Sequence, residues 1–273
     1  MNFINKSSTR LYSHNLSNRL NELNNPIEED QIRWPMEMTQ NGKDTLFSET
    51  NYDHKDKVEI SFEVKRDTNT NQYSELIFTH NGPPFNENQL CGLITRISSD
   101  KNNDRTTGKF GTGFVTSHVL SKTVYITGDL YENEKTRGFS VTMCREGKTK
   151  EELEKNLELI EKSYRKDLEP FNMTQFRYPI KSDLSRKCLE LGLIHYKKNI
   201  PNVLINCPSI ECIHLIDNKN DDKYSASLKE QINENIYCYK VSCNEKDQYF
   251  LVVKDNEVNL DISIEIDAEK YGN

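Results

Sequence analysis

Glu37, Asn41 and Asp44 stand at i, i+4 and i+7. On a helix this spacing sets a carboxylate, an amide and a second carboxylate along one stripe. An amide oxygen is a hard ligand that Mg²⁺ accepts beside phosphate oxygens. A carboxylate one turn away can orient or deprotonate a water. Taken alone, the triplet is most simply a solvated helix face. A second cluster is Gly108, Lys109, Phe110, Gly111, Thr112, Gly113 and Phe114, just before the apolar-periodic stretch 114–120. Glycine lets backbone approach a ligand closely, and amides at a helix start form an anion site. Taken alone, the same letters spell a turn. A third cluster closes the β-rich run 76–80, where His80, Asn81 and Gly82 precede Pro83, Pro84 and Phe85. Polar side chains at a strand end can read a ligand. The plainer reading is a strand-to-loop turn with His80 as a surface imidazole.

In this order the three clusters resemble the GHKL ATPase superfamily (gyrase, heat-shock chaperone, histidine kinase and MutL ATP-binding domains). Glu37, Asn41 and Asp44 match its first box, and 108–114 matches its Gly-x-Phe-Gly-x-Gly-Phe box. The middle box, usually Asp-x-Gly-x-Gly, reads His80-Asn81-Gly82-Pro83-Pro84 and looks like the sacsin-type and related prokaryotic branch. The boxes run from about 33 to 120, and Thr174 matches the strand threonine that supports adenine through water. The resemblance implies ATP and Mg²⁺ as ligands. Glu37 would be the general base, Asn41 the metal ligand, and Asp44 the support of that helix face. Gly108, Gly111 and Gly113, with the amides of Thr112 and Phe114, would hold the phosphates. Residues 86–107 would form a mobile polar lid. Lys101, Arg105 or Lys109 would reach a phosphate.

The departures bear on the base. His80 replaces the adenine-reading Asp. A neutral imidazole keeps an acceptor nitrogen, whereas the imidazolium has none. Nucleotide affinity is then expected to fall as pH drops through the His80 pKa, about 6.5 if unperturbed. The alternatives are that Asn81 takes the role or that base specificity is relaxed. Pro84 stiffens the loop. Gly42 stands where the family has Ala, at a helix cost of roughly 1 kcal/mol.

The chain has 273 residues and a net charge of −7, which does not indicate a generally basic nucleic-acid surface. Seven scattered cysteines with no Cys-x-x-Cys pair, no secretory signal and no apolar run of membrane length point to a reducing cytoplasm, with no membrane partner and no zinc site. Periodicity predicts a helix over 30–47 with Pro35 near its start, a strand over 58–64 and a partner over 75–78. Strands over 123–127 and 138–144 follow, joined by the charged segment 129–137. A charged helix over 148–166 turns Leu153, Leu157, Ile160 and Tyr164 inward. After a strand over 174–178, a helix is expected over 184–196, then strands over 202–207, 211–216, 235–243, 248–254 and 259–266, with turns at 218–223 and 244–247.

The expected fold class is α+β: a Bergerat-type α/β sandwich, a mixed sheet with helices on one face, followed by a smaller strand-rich region. Residues 1–180 form the ATP-binding domain, and 181–273 a partial or small transducer-like domain. The N-terminal segment 1–27 either crosses to a second subunit as a strap in a homodimer or packs on its own domain. Two functions remain: an ATPase whose nucleotide state gates lid closure, dimerisation or engagement of a protein partner, and a slow or inactive nucleotide-sensing module in a larger assembly. A histidine kinase fits poorly, because few residues precede the first box.

Overall fold

Val58, Ile60, Phe62 and Val64 are buried while Glu59, Ser61 and Glu63 between them are partly exposed, so the first strand has one covered face. The computed structural model describes residues 9–47, 56–95, 113–147, 149–217, 220–255 and 260–266. Its helices are α1 (Thr9–Glu22), α2 (Glu28–Asp44), α3 (Glu87–Thr95), α4 (Gly113–Thr116), α5 (Lys150–Ser163) and α6 (Asp183–Asn206). Its strands are β1 (Val58–Arg66), β2 (Tyr73–His80), β3 (Thr123–Glu132), β4 (Lys135–Cys144), β5 (Arg165–Leu168), β6 (Thr174–Pro179), β7 (Ile210–Asp217), β8 (Asn220–Gln231), β9 (Ile236–Cys243), β10 (Lys246–Asp255) and β11 (Leu260–Ile266). They form one sheet in the order β11-β10-β9-β8-β7-β1-β2-β6-β3-β4-β5, antiparallel except for the parallel pair β1–β7.

The register carries the apolar face across the sheet. Phe62 lies opposite Phe78, Phe78 opposite Phe176, Phe176 opposite Ile126, and Ile126 opposite Val141. All five are buried. Beside them runs the row Val64, Leu76 and Tyr178. Helices α2 and α6 cover this face, with the Trp34 and Tyr196 rings 6.1 and 5.2 Å from that of Phe62. The opposite face carries Glu59, Ser61, Glu63, Thr79, Gln175, Arg177 and Tyr125, none of them buried, together with the buried Ile77. This is the expected α+β fold, a mixed sheet with helices on one face.

Several elements differ from the sequence reading. Helix α2 starts at Glu28, so Pro35 lies in its interior and buried, and Thr39 Oγ1 donates to Pro35 O at 2.8 Å. The β3–β4 hairpin runs through the charged segment and turns on Asn133 and Glu134, both at positive φ. Helix α6 absorbs the strand expected over 202–207. Val203, Leu204 and Ile205 suit a strand locally, but Tyr196, Ile200, Val203 and Leu204 share the buried helix face. Strand β8 begins inside the turn expected over 218–223 and occupies a stretch with no expected strand.

The first part of the expected lid is also helical. Asn86 and Gln89 cap α3 reciprocally at 2.8 Å each, and Leu90, Cys91 and Ile94 sink into the core. The rest of that segment lies outside the described residues. Leu16, Leu20 and Leu23 are buried in the same core, which favours a first helix packed on its own chain. The sheet continues across residue 180, where two units are expected. Trp34 Nε1 of α2 donates to Cys188 O of α6 at 3.1 Å, and β7 pairs with β1.

Candidate functional site

The α2 stripe lies over the ends of β1 and β2. A Cβ built on Gly42 would meet His80 Cβ, Ile60 Cδ1 and Phe78 Cζ, each at 3.5 Å. That is ordinary contact, so a methyl group fits. Gly42→Ala is expected to raise stability by about 1 kcal/mol through helix propensity. A higher denaturant midpoint at unchanged m checks this, and a lower one would mean that the helix cannot hold its distance from the sheet.

Glu37 is 9% exposed, and its Oε1 accepts from Arg33 Nε at 2.6 Å. Its other oxygen lies against the start of α4, where a Cβ on Gly113 would stand 1.9 Å from Glu37 Oε2. A Cβ there would force the carboxylate aside, so glycine preserves the approach. The first box and the last glycine of the glycine-rich box therefore meet in space. Gly108, Lys109, Phe110, Gly111 and Thr112, with Lys101 and Arg105, lie outside the described residues. Phe114 follows Gly113 and packs its ring 5.5 Å from Phe176. Asn41 Nδ2 is buried with no hydrogen-bond partner among the described residues. Asp44 is buried at the end of α2, with Lys43 Nζ 3.5 Å from its Oδ1.

His80 is not the surface imidazole of the plainer reading. It follows Leu76 and Phe78 on the covered face of β2 and is 3% exposed. Thr174, 1% exposed, is its cross-strand partner on β6, so a polar pair interrupts an otherwise apolar face. His80 Nδ1 is buried and unpartnered among the described residues. Burial lowers the His80 pKa to about 4, because desolvation disfavours the charged ring. The expected loss of nucleotide affinity near pH 6.5 therefore moves to about pH 4, and affinity between pH 8 and 5 should be flat where His80 sets it.

Asn81 serves the scaffold. Its Oδ1 accepts from Glu59 N at 2.8 Å, and its own N–H donates to Glu59 O at 3.3 Å, extending the β1–β2 ladder. That oxygen is engaged, which disfavours Asn81 as the reader of the base. Gly82 passes so close to α2 that a Cβ would stand 2.1 Å from Thr45 Oγ1. Phe85 bridges to Leu130 and sets its ring edge-on to Phe139 at 6.0 Å. Its neighbour Phe139 lies, with Thr174, against Gly128.

Two groups of supporting residues escaped the sequence reading. Arg33 was legible as the i−4 neighbour of Glu37. Arg145 was not, since no local pattern marks it. It is fully buried. Its Nη1 donates to His118 Nε2 at 3.0 Å, and its Nη2 to Leu93 O at 2.9 Å and Ile94 O at 3.4 Å. Arginine only donates, so His118 Nε2 accepts and Nδ1 carries the proton given to Ser121 O at 2.8 Å. Burial, then Arg145, lowers the His118 pKa to about 3.

Both imidazoles give a pH prediction. Their folded pKa values lie below the unfolded value of about 6.5, so the unfolded chain binds more protons between the two. Stability from this source is full above pH 6.5 and declines as pH falls to about 4 for His80 and about 3 for His118. Denaturant midpoints between pH 7 and 4 check it. A flat profile would mean that neither ring is buried neutral.

No family model matches the chain, and no curated protein matches it. Among solved structures it is similar to the ATPase and transducer domains of DNA topoisomerase II from Balamuthia mandrillaris, with TM-score 0.45 and 14% identity over 82% of this chain and 55% of that one. It is similar also to the ATPase region of Saccharomyces cerevisiae topoisomerase II, with TM-score 0.44 and 11% identity over 81% and 58%. For the B-subunit of DNA gyrase from Myxococcus xanthus the values are 0.41 and 8% over 79% and 62%. The chain thus spans between 55% and 62% of the length of these structures. Among the described residues, no helix is long and apolar enough to cross a membrane.

Proposed function

We propose that this chain is a GHKL-type ATP-binding domain that hydrolyses Mg·ATP. The observation that carries the reading is the meeting of Glu37 with Gly113, beside the unpartnered Asn41 amide and His80 imidazole, along one helix–sheet seam. Buried polar atoms without partners are costly, and a nucleotide would offer a phosphate oxygen to the Asn41 Nδ2 donor and a base edge to the His80 ring. Glu37 Oε2 would hold and deprotonate the attacking water at the start of α4. Asn41 would hold Mg²⁺, whose charge would offset that of the phosphates. The amide end of α4 and the glycine run before it would hold phosphate oxygens. His80 and Thr174 would face the base.

One observation favours the second reading, a slow nucleotide sensor: Arg33 Nε occupies Glu37 Oε1, leaving one oxygen for a water. The deciding experiment is calorimetric titration with ATP, with Mg²⁺ or with EDTA, alongside phosphate release. Binding with release supports the ATPase, and binding without release supports the sensor. Absence of binding would overturn both. Asn41→Ala is expected to lose the Mg²⁺-dependent part of the affinity. Mg²⁺ dependence kept in that variant would remove Asn41 from the metal site.

A further inference from the structure

We infer that His80 and Thr174 make a base-reading pair that accepts 6-oxo purines as well as adenine, so that the site takes purine nucleoside triphosphates with little choice at position 6. The inference rests on the nucleotide-binding reading. Its support is the geometry of the polar pair. His80 stands directly opposite Thr174 on the covered sheet face, and both are at most 3% exposed. The neighbours of His80 on that face are aromatic, with Phe78 and Phe176 rings 5.9 and 6.3 Å away. Position 128 beside Thr174 is glycine, which leaves Thr174 Oγ1 without a crowding side chain.

Selectivity follows from donor and acceptor chemistry. A carboxylate at the His80 position accepts only, so it welcomes the 6-amino group of adenine and repels a 6-oxo group. A neutral imidazole does either, according to its tautomer. The tautomer of a buried histidine is normally fixed by the hydrogen bond at its other nitrogen. Among the described residues, the His80 side chain makes no hydrogen bond, and its Nδ1 is buried without one. The proton can therefore sit wherever the ligand requires it: the ring offers a lone pair to an amino group or an N–H to a carbonyl. The Thr174 hydroxyl likewise donates or accepts by rotating. Neither member of the pair leaves an unsatisfied group against either base, and an unsatisfied group is what produces strong rejection.

The test measures the affinity of the full chain for Mg·ATP, Mg·ITP and Mg·UTP by calorimetry. ITP confines the change to the edge at positions 1 and 6, because it lacks the 2-amino group of guanine. The expected result is ATP and ITP within about tenfold of each other, against the roughly 10⁴-fold rejection that a hydrogen-bonding site can impose. His80→Asp should keep ATP and weaken ITP by roughly 100-fold or more. Should the buried carboxylate prevent folding, His80→Asn supplies both a donor and an acceptor and should keep the parent's ATP-to-ITP ratio. ITP binding more than roughly 100-fold weaker than ATP in the parent would overturn the inference and leave nucleotide binding standing. So would an ATP-to-ITP ratio unchanged in a folded His80→Asp variant, or UTP binding as tightly as both purines. Binding of none of the three would sink the nucleotide reading itself.

Discussion

Glu37→Ala is expected to bind Mg·ATP like the parent and to release phosphate roughly 10²–10⁴-fold more slowly, the usual range for a lost general base. Gly113→Ala is expected to approach that result by a different route. Its methyl group would stand 1.9 Å from Glu37 Oε2 and 2.9 Å from Cδ. The carboxylate is the far end of a flexible side chain, so it swings aside at a cost of about 1 kcal/mol or less in stability. The same swing would move the proposed base from the water assigned to it, and misplacement by an ångström costs about 10²-fold. The pair of variants separates chemistry from folding: both stay folded within about 1 kcal/mol of the parent and keep their affinity, and both lose turnover. Parent-like phosphate release by Glu37→Ala would show that another group is the base. Parent-like release by Gly113→Ala would show that the contact of Glu37 with α4 has no part in the reaction.

Arg145→Ala is expected to cost about 3–5 kcal/mol of stability, a large share of the roughly 5–15 kcal/mol that holds a domain folded. The guanidinium is fully buried and serves His118 Nε2, Leu93 O and Ile94 O at once, with its charge 5.9 Å from the centre of the Phe114 ring. Truncation takes their shared donor from His118 Nε2 and Leu93 O, and buried acceptors that lose a donor are penalised individually. Arg145→Lys keeps the charge but cannot span the same fork, so it should recover only part of the loss. The damage should fall first on α3, whose last carbonyls the arginine holds, and on the segment after Gly113. Faster amide exchange there than in β1 would be the local signature. A loss below about 1 kcal/mol would mean that water or another donor replaces the arginine.

The alternation of β1, the Lys/Glu helix α5 with its inward leucines, and the stripe of Glu37, Asn41 and Asp44 were legible because each depends on contacts within a few residues. The inward face of α5 holds for Leu153, Leu157 and Ile160, all buried, and Tyr164 stands just past the helix end, half-buried. Where local pattern and tertiary packing disagreed, packing won. Val203, Leu204 and Ile205 have strand preferences, yet they continue α6 because the helix face beginning at Cys188 extends through them against the sheet. Segment 86–95 is expected as the start of the lid, yet Leu90, Cys91 and Ile94 found a core to enter.

For the site, the sequence by itself determined which residues lie on the α2 face and the single-faced alternation of the central strands. These follow from helical period and from the two-residue repeat of a strand. Only the tertiary structure decided that His80 points inward beside Thr174, that Glu37 touches Gly113, that Asn81 is spent on the backbone of β1, and that Arg145 ties α3 to His118. Each of these joins residues between 22 and 94 positions apart. The register of paired strands and the seating of α2 on the sheet fix such distances, and no local preference of the chain encodes them.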